Sequence, residues 1–231
     1  MIDWHSHVIP AVDDGSRDIE ESLKMLSEIK AQGVDCVVAT PHFIANAESV
    51  EEFISRRDEA YASLTDSMSE DLPKVLCGAE VKYYPGIAKM EGLEKLTVSG
   101  TNILLLEMPM TKWTKYTLRE LFELASAKGL TIVMAHIERY LAMQEKNILD
   151  TLCENGILIQ VNASFLNGFW TKGRALKLMA GGYIHFIGSD CHNMTTRAPK
   201  IGVAYDFIKK KCGEDYFHQM DSYGYRKLNL R

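Results

Sequence analysis

Seven short runs of β-type residues alternate with helix-length amphipathic stretches, and this alternation constrains the fold more than any other feature of the chain. The runs span residues 2–7, 36–40, 75–81, 103–107, 131–136, 158–162 and 185–189. In the first intervening stretch, residues 16–33, Ile19, Leu23, Leu26 and Ile29 fall at helical spacing, with Ser16 placed to cap the start and Gly33 the end. Similar helices are predicted over 50–68, 117–128, 147–155, 171–179 and 199–211, the segment 85–96 has the weakest pattern, and the polar, tyrosine-bearing tail 215–231 reads as a closing helix or surface segment. Strands alternating with helices imply an α/β chain with a parallel sheet, either open or closed into a barrel.

The polar residues favour the barrel, because in barrel enzymes reactive groups gather at the carboxyl ends of the strands. His5 and His7 close the first run, His42 follows the second, Glu80 ends the third, Glu107 the fourth and His136 the fifth. Asn162 ends the sixth, and Asp190 with His192 follows the seventh. His5 and His7 lie two apart, so an extended strand aims both imidazoles at one point. Asp14, in the pair Asp13-Asp14, adds a carboxylate nearby. His185 stands five residues before Asp190 and so points to the opposite side, toward a helix, and His218 sits alone in the tail.

Length and charge bound the rest. A chain of 231 residues with no long polar linker is read as one domain over residues 1–231. The net charge of −5 argues against a nucleic-acid partner and suits cation binding. The start lacks a basic segment followed by an apolar run, and the strongest apolar run, 103–106, is too short to span a bilayer, so neither export nor a membrane span is expected. Five scattered cysteines without a Cys-x-x-Cys pair fit a reducing cytoplasm.

Burying so many ionisable groups around one mouth is costly unless cations compensate them. The candidate metal ligands are His5, His7, Asp14, His42, Glu80, Glu107, His136, Asp190 and His192. A purely imidazole and carboxylate set suits Mn, Fe or Zn in hydrolytic sites, and so many ligands imply two or three ions, with open positions for water and substrate. Bridged ions can ready a hydroxide for attack on phosphorus. Arg139 and Arg197 are the candidate phosphate-gripping residues, since guanidinium forks bind phosphate at two points. Glu138 is a further ligand or an orienter of His136. Phe43, Tyr83, Trp113, Tyr116, Phe165, Phe169 and Trp170 either line the mouth against a phenyl ring or simply cap the barrel.

The ordered set HSHVIPAVDDG, ATPHF, GAEV, LLLEMP, AHIERY, QVNASF and SDCHN with the later Arg197 runs from residue 5 to residue 197. It resembles the polymerase and histidinol phosphatase (PHP) superfamily, and within it the bacterial capsule-type, metal-dependent protein-tyrosine phosphatases. The resemblance implies a distorted seven-stranded (β/α) barrel of the TIM-like kind with three metals at its carboxyl-end mouth. His5, His7, Glu80 and Asp190 would hold one ion, Glu80, Glu107 and His136 a second, and Asp14, His42 and His192 a third, while Arg139 and Arg197 grip the phosphate. It further implies Mn as the usual metal, with Fe, Zn, Co or Mg as other occupants, and the phosphotyrosine-bearing tail of a bacterial tyrosine kinase in polysaccharide export as substrate. Trp4, Cys191 and the segment Arg197-Ala198-Pro199 depart from the family's usual residues, and the tail matches it least.

Rival readings remain at this point. Cys191 and Arg197 form Cys-x5-Arg, the spacing of cysteine-nucleophile phosphatases, but the intervening residues lack a phosphate-cradling glycine, and adjacent Asp190 opposes a thiolate. An amidohydrolase would place a modified lysine at a later strand end, with Lys82 the nearest candidate. Histidinol phosphate or another small phosphoester is an alternative substrate, and a non-catalytic metal-bound docking module is a reading from another class.

Overall fold

The computed structural model describes residues 1–230; Arg231, the end of the expected closing segment, lies outside the described residues. β1 (Ile2–Ser6) is followed by α1 (Ile19–Ala31), β2 (Cys36–Ala39), β3 (His42–Phe43), α2 (Val50–Ser67), β4 (Lys74–Cys77) and β5 (Glu80–Lys82). Two tight helical turns, Ile87–Lys89 and Leu93–Leu96, occupy the weakly patterned segment. Next come β6 (Ile103–Glu107), α3 (Lys115–Ala127), β7 (Thr131–Met134), a tight turn at Ile137–Arg139, α4 (Ile148–Glu154) and β8 (Leu158–Asn162). The chain closes with α5 (Ala163–Asn167), α6 (Lys172–Ala180), β9 (Phe186–Gly188), α7 (Gly202–Cys212) and α8 (Glu214–Lys227).

Every strand pair is parallel, in two ribbons ordered β1-β2-β4 and β3-β5-β6-β7-β8-β9. The run predicted at 75–81 is interrupted at Gly78 and Ala79, and the run predicted at 36–40 stops at Ala39, with a further strand, β3, beyond Pro41. Pro41 has no N–H to give a ladder, and its carbonyl instead accepts from Glu80 N at 3.0 Å, while Gly78 N donates back to Ala39 O. The ribbons therefore succeed one another along the same strand directions. At the far edge β9 returns beside β1, with Asp190 N donating to His5 O at 2.8 Å and His7 N to Cys191 O at 2.9 Å. The result is a curled parallel sheet with helices outside it.

Alternation along the strands sorts the apolar residues into two layers. Leu104, Leu106, Ile132 and Ile159 face outward and pack with residues such as Leu26 and Leu121 of the helices. Ile103, Leu105, Val133, Leu158, Trp4 and Phe186 form a second layer with Leu228 beyond α8. Trp4 stacks on Phe186 with ring centroids 3.7 Å apart, and Phe186 stacks in turn on Tyr223 of α8. Tyr225 bonds the chain's amino terminus and Asn229 bonds Gly100 O, so the tail covers the amino ends of the strands. Apolar packing thus occupies the amino half of the sheet's inner side and leaves the carboxyl ends to polar groups.

Local corrections have simple causes. Asp18, not Ser16, caps α1, accepting from Glu21 N; the Ser16 hydroxyl is buried against Ser22. Gly33, at φ +84°, does follow the helix end. The helix predicted from 199 starts at Gly202, and α5, directly after β8, was not foreseen. Ser49 and Glu52 form a reciprocal capping box on α2.

Candidate metal centre

β1 delivers the first two donors. His5 Nε2 and His7 Nε2 face each other at 3.1 Å, both fully buried. Two glycines make room for them: a Cβ on Gly15 would lie 2.5 Å from His7 Cβ, and one on Gly188 2.5 Å from His5 Cβ. Glu80, at the start of β5, reaches into the middle. Its Oε2 is 3.1 Å from His5 Nε2 and 3.0 Å from His42 Nδ1, and its Oε1 is 2.8 Å from His136 Nε2.

Two further donors depend on unusual backbone. His136 and Asp190 both adopt positive φ, +33° and +53°, a region uncommon for non-glycine residues that swings each side chain out of its strand direction. Asp190 Oδ1 comes within 3.7 Å of His5 Nε2 and 3.5 Å of His7 Nε2. Glu107 Oε1 is 3.7 Å from His136 Nε2. Asp14, largely exposed at the rim, sets Oδ1 3.5 Å from His42 Nε2 and 3.4 Å from His192 Nε2.

The nine sequence-predicted ligands all fall into four overlapping groups whose donor atoms lie within 4.8 Å of one another. These are His5–His7–Asp190, His5–Glu80–His136, His42–Glu80–Glu107 and His7–Asp14–His42–His192. The donors fit divalent cations on two grounds. They are all imidazole nitrogens and carboxylate oxygens, and His192 Nε2 is buried without a hydrogen-bond partner. Without cations, so many buried ionisable groups in mutual contact would carry a large desolvation cost.

Electrostatics follow the same geometry. Burial pulls Glu80 upward, but the His5 charge and hydrogen bonds from His136 and His42 hold its carboxyl well below the usual range. Asp190 is likewise held low against burial by His5, His7 and Arg139. Burial lowers the pKa of His136, and burial with the nearby His7 and Arg197 charges lowers that of His192 to about 4, which favours the neutral form that binds metal.

An outer layer orients the donors, and most of it was missed in the sequence. The carboxylate of Asp13 accepts from His7 Nδ1 at 2.6 Å, from His42 N at 2.9 Å and from Gly15 N at 2.9 Å. Adjacent Asp13 and Asp14 thus divide their work, one positioning and one available as a donor. The Tyr140 oxygen lies 3.0 Å from His136 Nδ1, and Gln160 Oε1 accepts from His136 N at 2.7 Å. Gln160 donates to Asn162 Oδ1, and Asn162 Nδ2 donates to Asp190 Oδ2 at 2.7 Å. A polar residue facing inward beside a run's polar end, as Gln160 does, is the signal that would have found this chain.

Arg139 and Arg197 converge on opposite oxygens of Asp190, Arg197 at 2.7 Å, with both guanidinium groups partly exposed. Glu138 bonds neither His136 nor the donors; it accepts from Asn162 N at 3.2 Å, and burial raises its pKa to about 7. His185 faces away from the cluster, accepting Ile159 N–H at Nδ1, and His218 is exposed on α8. Lys82 is exposed at the end of β5, and burial pushes the Cys191 thiol far up, against a nucleophilic role. Of the seven aromatics, Phe43, Tyr83, Trp113 and Phe165 are core residues and Tyr116 is tied to Glu120; only Phe169 and Trp170 stand free at the surface.

Known proteins share the sequence and the fold of this chain. The family described as capsular polysaccharide synthesis, CpsB/CapC, matches residues 1–227. The chain is 31% identical over 221 residues to the tyrosine-protein phosphatase YwqE of Bacillus subtilis (strain 168), covering 93% of this chain and 86% of that one. It is 32% identical over 225 residues to the tyrosine-protein phosphatase CpsB of Streptococcus pneumoniae, covering 92% and 91%. A crystal structure from work on YwqE of Bacillus subtilis and CpsB of Streptococcus pneumoniae, described as unique metal-dependent tyrosine phosphatases, superposes with a TM-score of 0.83 at 28% identity, over all of this chain and 96% of that one.

Proposed function

This chain belongs to the CpsB/CapC family of capsular polysaccharide synthesis, and from that premise we propose that it is a metal-dependent protein-tyrosine phosphatase. Its substrate is the phosphotyrosine-bearing tail of a bacterial tyrosine kinase in capsule or exopolysaccharide production, met in the cytoplasm. The observation that carries the reading is the meeting of four histidines on one buried carboxylate, Glu80, beside two arginines that share Asp190. The curled sheet, with β1 bonded to residues 189–191 just beyond β9, is read as a distorted seven-stranded barrel in which β2 with β3 and β4 with β5 each count as one strand, and residues 1–231 as one domain.

His5, His7, Asp14, His42, Glu80, Glu107, His136, Asp190 and His192 would hold two or three ions, with Mn the expected metal. When bound, such ions supply Lewis acidity and lower the pKa of water to near neutrality. Arg139 and Arg197 keep N–H donors beyond those on Asp190, and these grip the phosphoryl oxygens in two-point fashion. Asp13 fixes the ring of His7 and Tyr140 that of His136, so neither imidazole rotates as charge builds on the substrate. The leaving group needs little help, because a tyrosine phenol ionises near pH 10, far below an alkyl alcohol.

Phosphate release from a phosphotyrosine peptide and from histidinol phosphate, each with Mn and with chelator, tests the reading. The expected result is peptide turnover that chelator abolishes and Mn restores. Preference for histidinol phosphate would replace the substrate, and turnover in chelator by protein free of transition metal would end the proposal.

A further inference from the structure

Beside the two arginines opens a cleft of about 410 Å³, bounded on its far side by Ser164, Asn167 and Lys200. Its charge is unlike that of the whole molecule. The chain carries a net −5, yet the cleft lining holds Arg139, Arg197 and Lys200 against a single acid, Asp190. Both arginines are engaged with that acid, whereas Lys200 is exposed and makes no ion pair among the described residues.

At the rim, Gly168 lines the cleft and is followed by Phe169 and Trp170, which are 80% and 90% exposed. Their rings stand edge to face with centroids 5.0 Å apart. The turn that presents them is fixed rather than loose, since the Thr171 hydroxyl bonds Phe165 O and Gly168 O. Two adjacent aromatics held out in water beside a cleft lined by cationic side chains are a common composition for a recognition edge.

We infer that this cleft is the peptide subsite of the proposed phosphatase, with Lys200 receiving a carboxylate next to the phosphotyrosine and Phe169–Trp170 packing along the flanking residues. The inference rests on the phosphotyrosine reading, since it places the phosphate on Arg139 and Arg197. Charge complementarity selects the partner: an acidic peptide segment supplies the anion that Lys200 lacks.

Two phosphotyrosine peptides that differ only in a flanking Glu or Lys, with p-nitrophenyl phosphate as a substrate lacking flanks, provide the test. The Glu peptide should be preferred, Lys200→Glu should raise its KM by about fivefold, the scale of a partly solvated ion pair, and p-nitrophenyl phosphate turnover should not change. Trp170→Ala should weaken both peptides, by about tenfold, and again spare the small substrate. A second readout does not need catalysis. Trp4 and Trp113 are buried, so iodide quenching reports Trp170, and a non-hydrolysable phosphonate version of the Glu peptide should protect it. Equal turnover of both peptides with no effect of Lys200→Glu, or no protection by the phosphonate peptide, would overturn the inference. Protection by anionic phosphatidylglycerol vesicles but not by peptide would assign the rim to a membrane instead. Loss of all phosphoester turnover with peptide protection intact would strike the activity and leave the peptide site standing.

Discussion

The same strands end in opposite chemistry at their two ends. At the carboxyl ends, imidazoles and carboxylates meet with little apolar packing between them; at the amino ends, Trp4, Phe186, Tyr223 and Leu228 stack into a closed apolar layer under α8. The contrast teaches which end of the strands favours folding and which opposes it. Apolar burial favours folding at about 1.5–3 kcal/mol for each large side chain, whereas bare clustered ionisable groups oppose it until cations arrive. The amino end anchors the strands so that the carboxyl end can hold an arrangement unfavourable by itself.

Substitutions at each end should separate the two roles. Glu80→Gln should lower phosphatase turnover by more than the ~100-fold that changes in metal-orienting residues bring, and should weaken metal affinity, while leaving the unfolding temperature of metal-free protein unchanged or raised. Turnover and metal titration with thermal unfolding in chelator check this; a large fall in metal-free stability would show that the carboxyl end also supports the fold. Leu228→Ala should do the reverse, costing about 2–5 kcal/mol in denaturant unfolding with turnover per folded molecule intact. Loss of turnover in protein shown to be folded would break the division.

The smallest expected effect is a pH dependence at the amino end, where the His185 ring lies beside Phe186 and Tyr223. Burial lowers the pKa of His185 from its ordinary 6.5, and its Nδ1 accepts the Ile159 N–H, which requires a neutral ring. Between the lowered value and 6.5 the unfolded chain binds the proton that the folded one refuses, so stability falls as pH drops below about 6.5. His185→Gln should flatten that part of the stability profile without altering metal content; an unchanged slope would assign the acid sensitivity to other groups.

Much of this was legible because a parallel α/β chain places its reactive residues where each strand stops. The runs 103–107 and 158–162 coincide with β6 and β8, and the nine candidate ligand positions converge in space. What was not legible depends on contacts between distant segments. Pairing with Pro41 and Gly78 splits two strands, something a single run's pattern does not show. Asp13 and Asp14 look alike in sequence, and only the approach of His7 and His42 gives them different duties. The aromatics after the strands looked equally suited to the mouth, yet tertiary burial claimed four of them and left Phe169 and Trp170 outside.

The bare backbones of Gly15 and Gly188 set a limit on how this centre can change. With His7 and His5 pressed against them, neither position can accept one more carbon without pushing an imidazole off its axis. Redesign for larger ions or wider spacing therefore has no slack along the first strand, and must find it at the exposed carboxylate of Asp14.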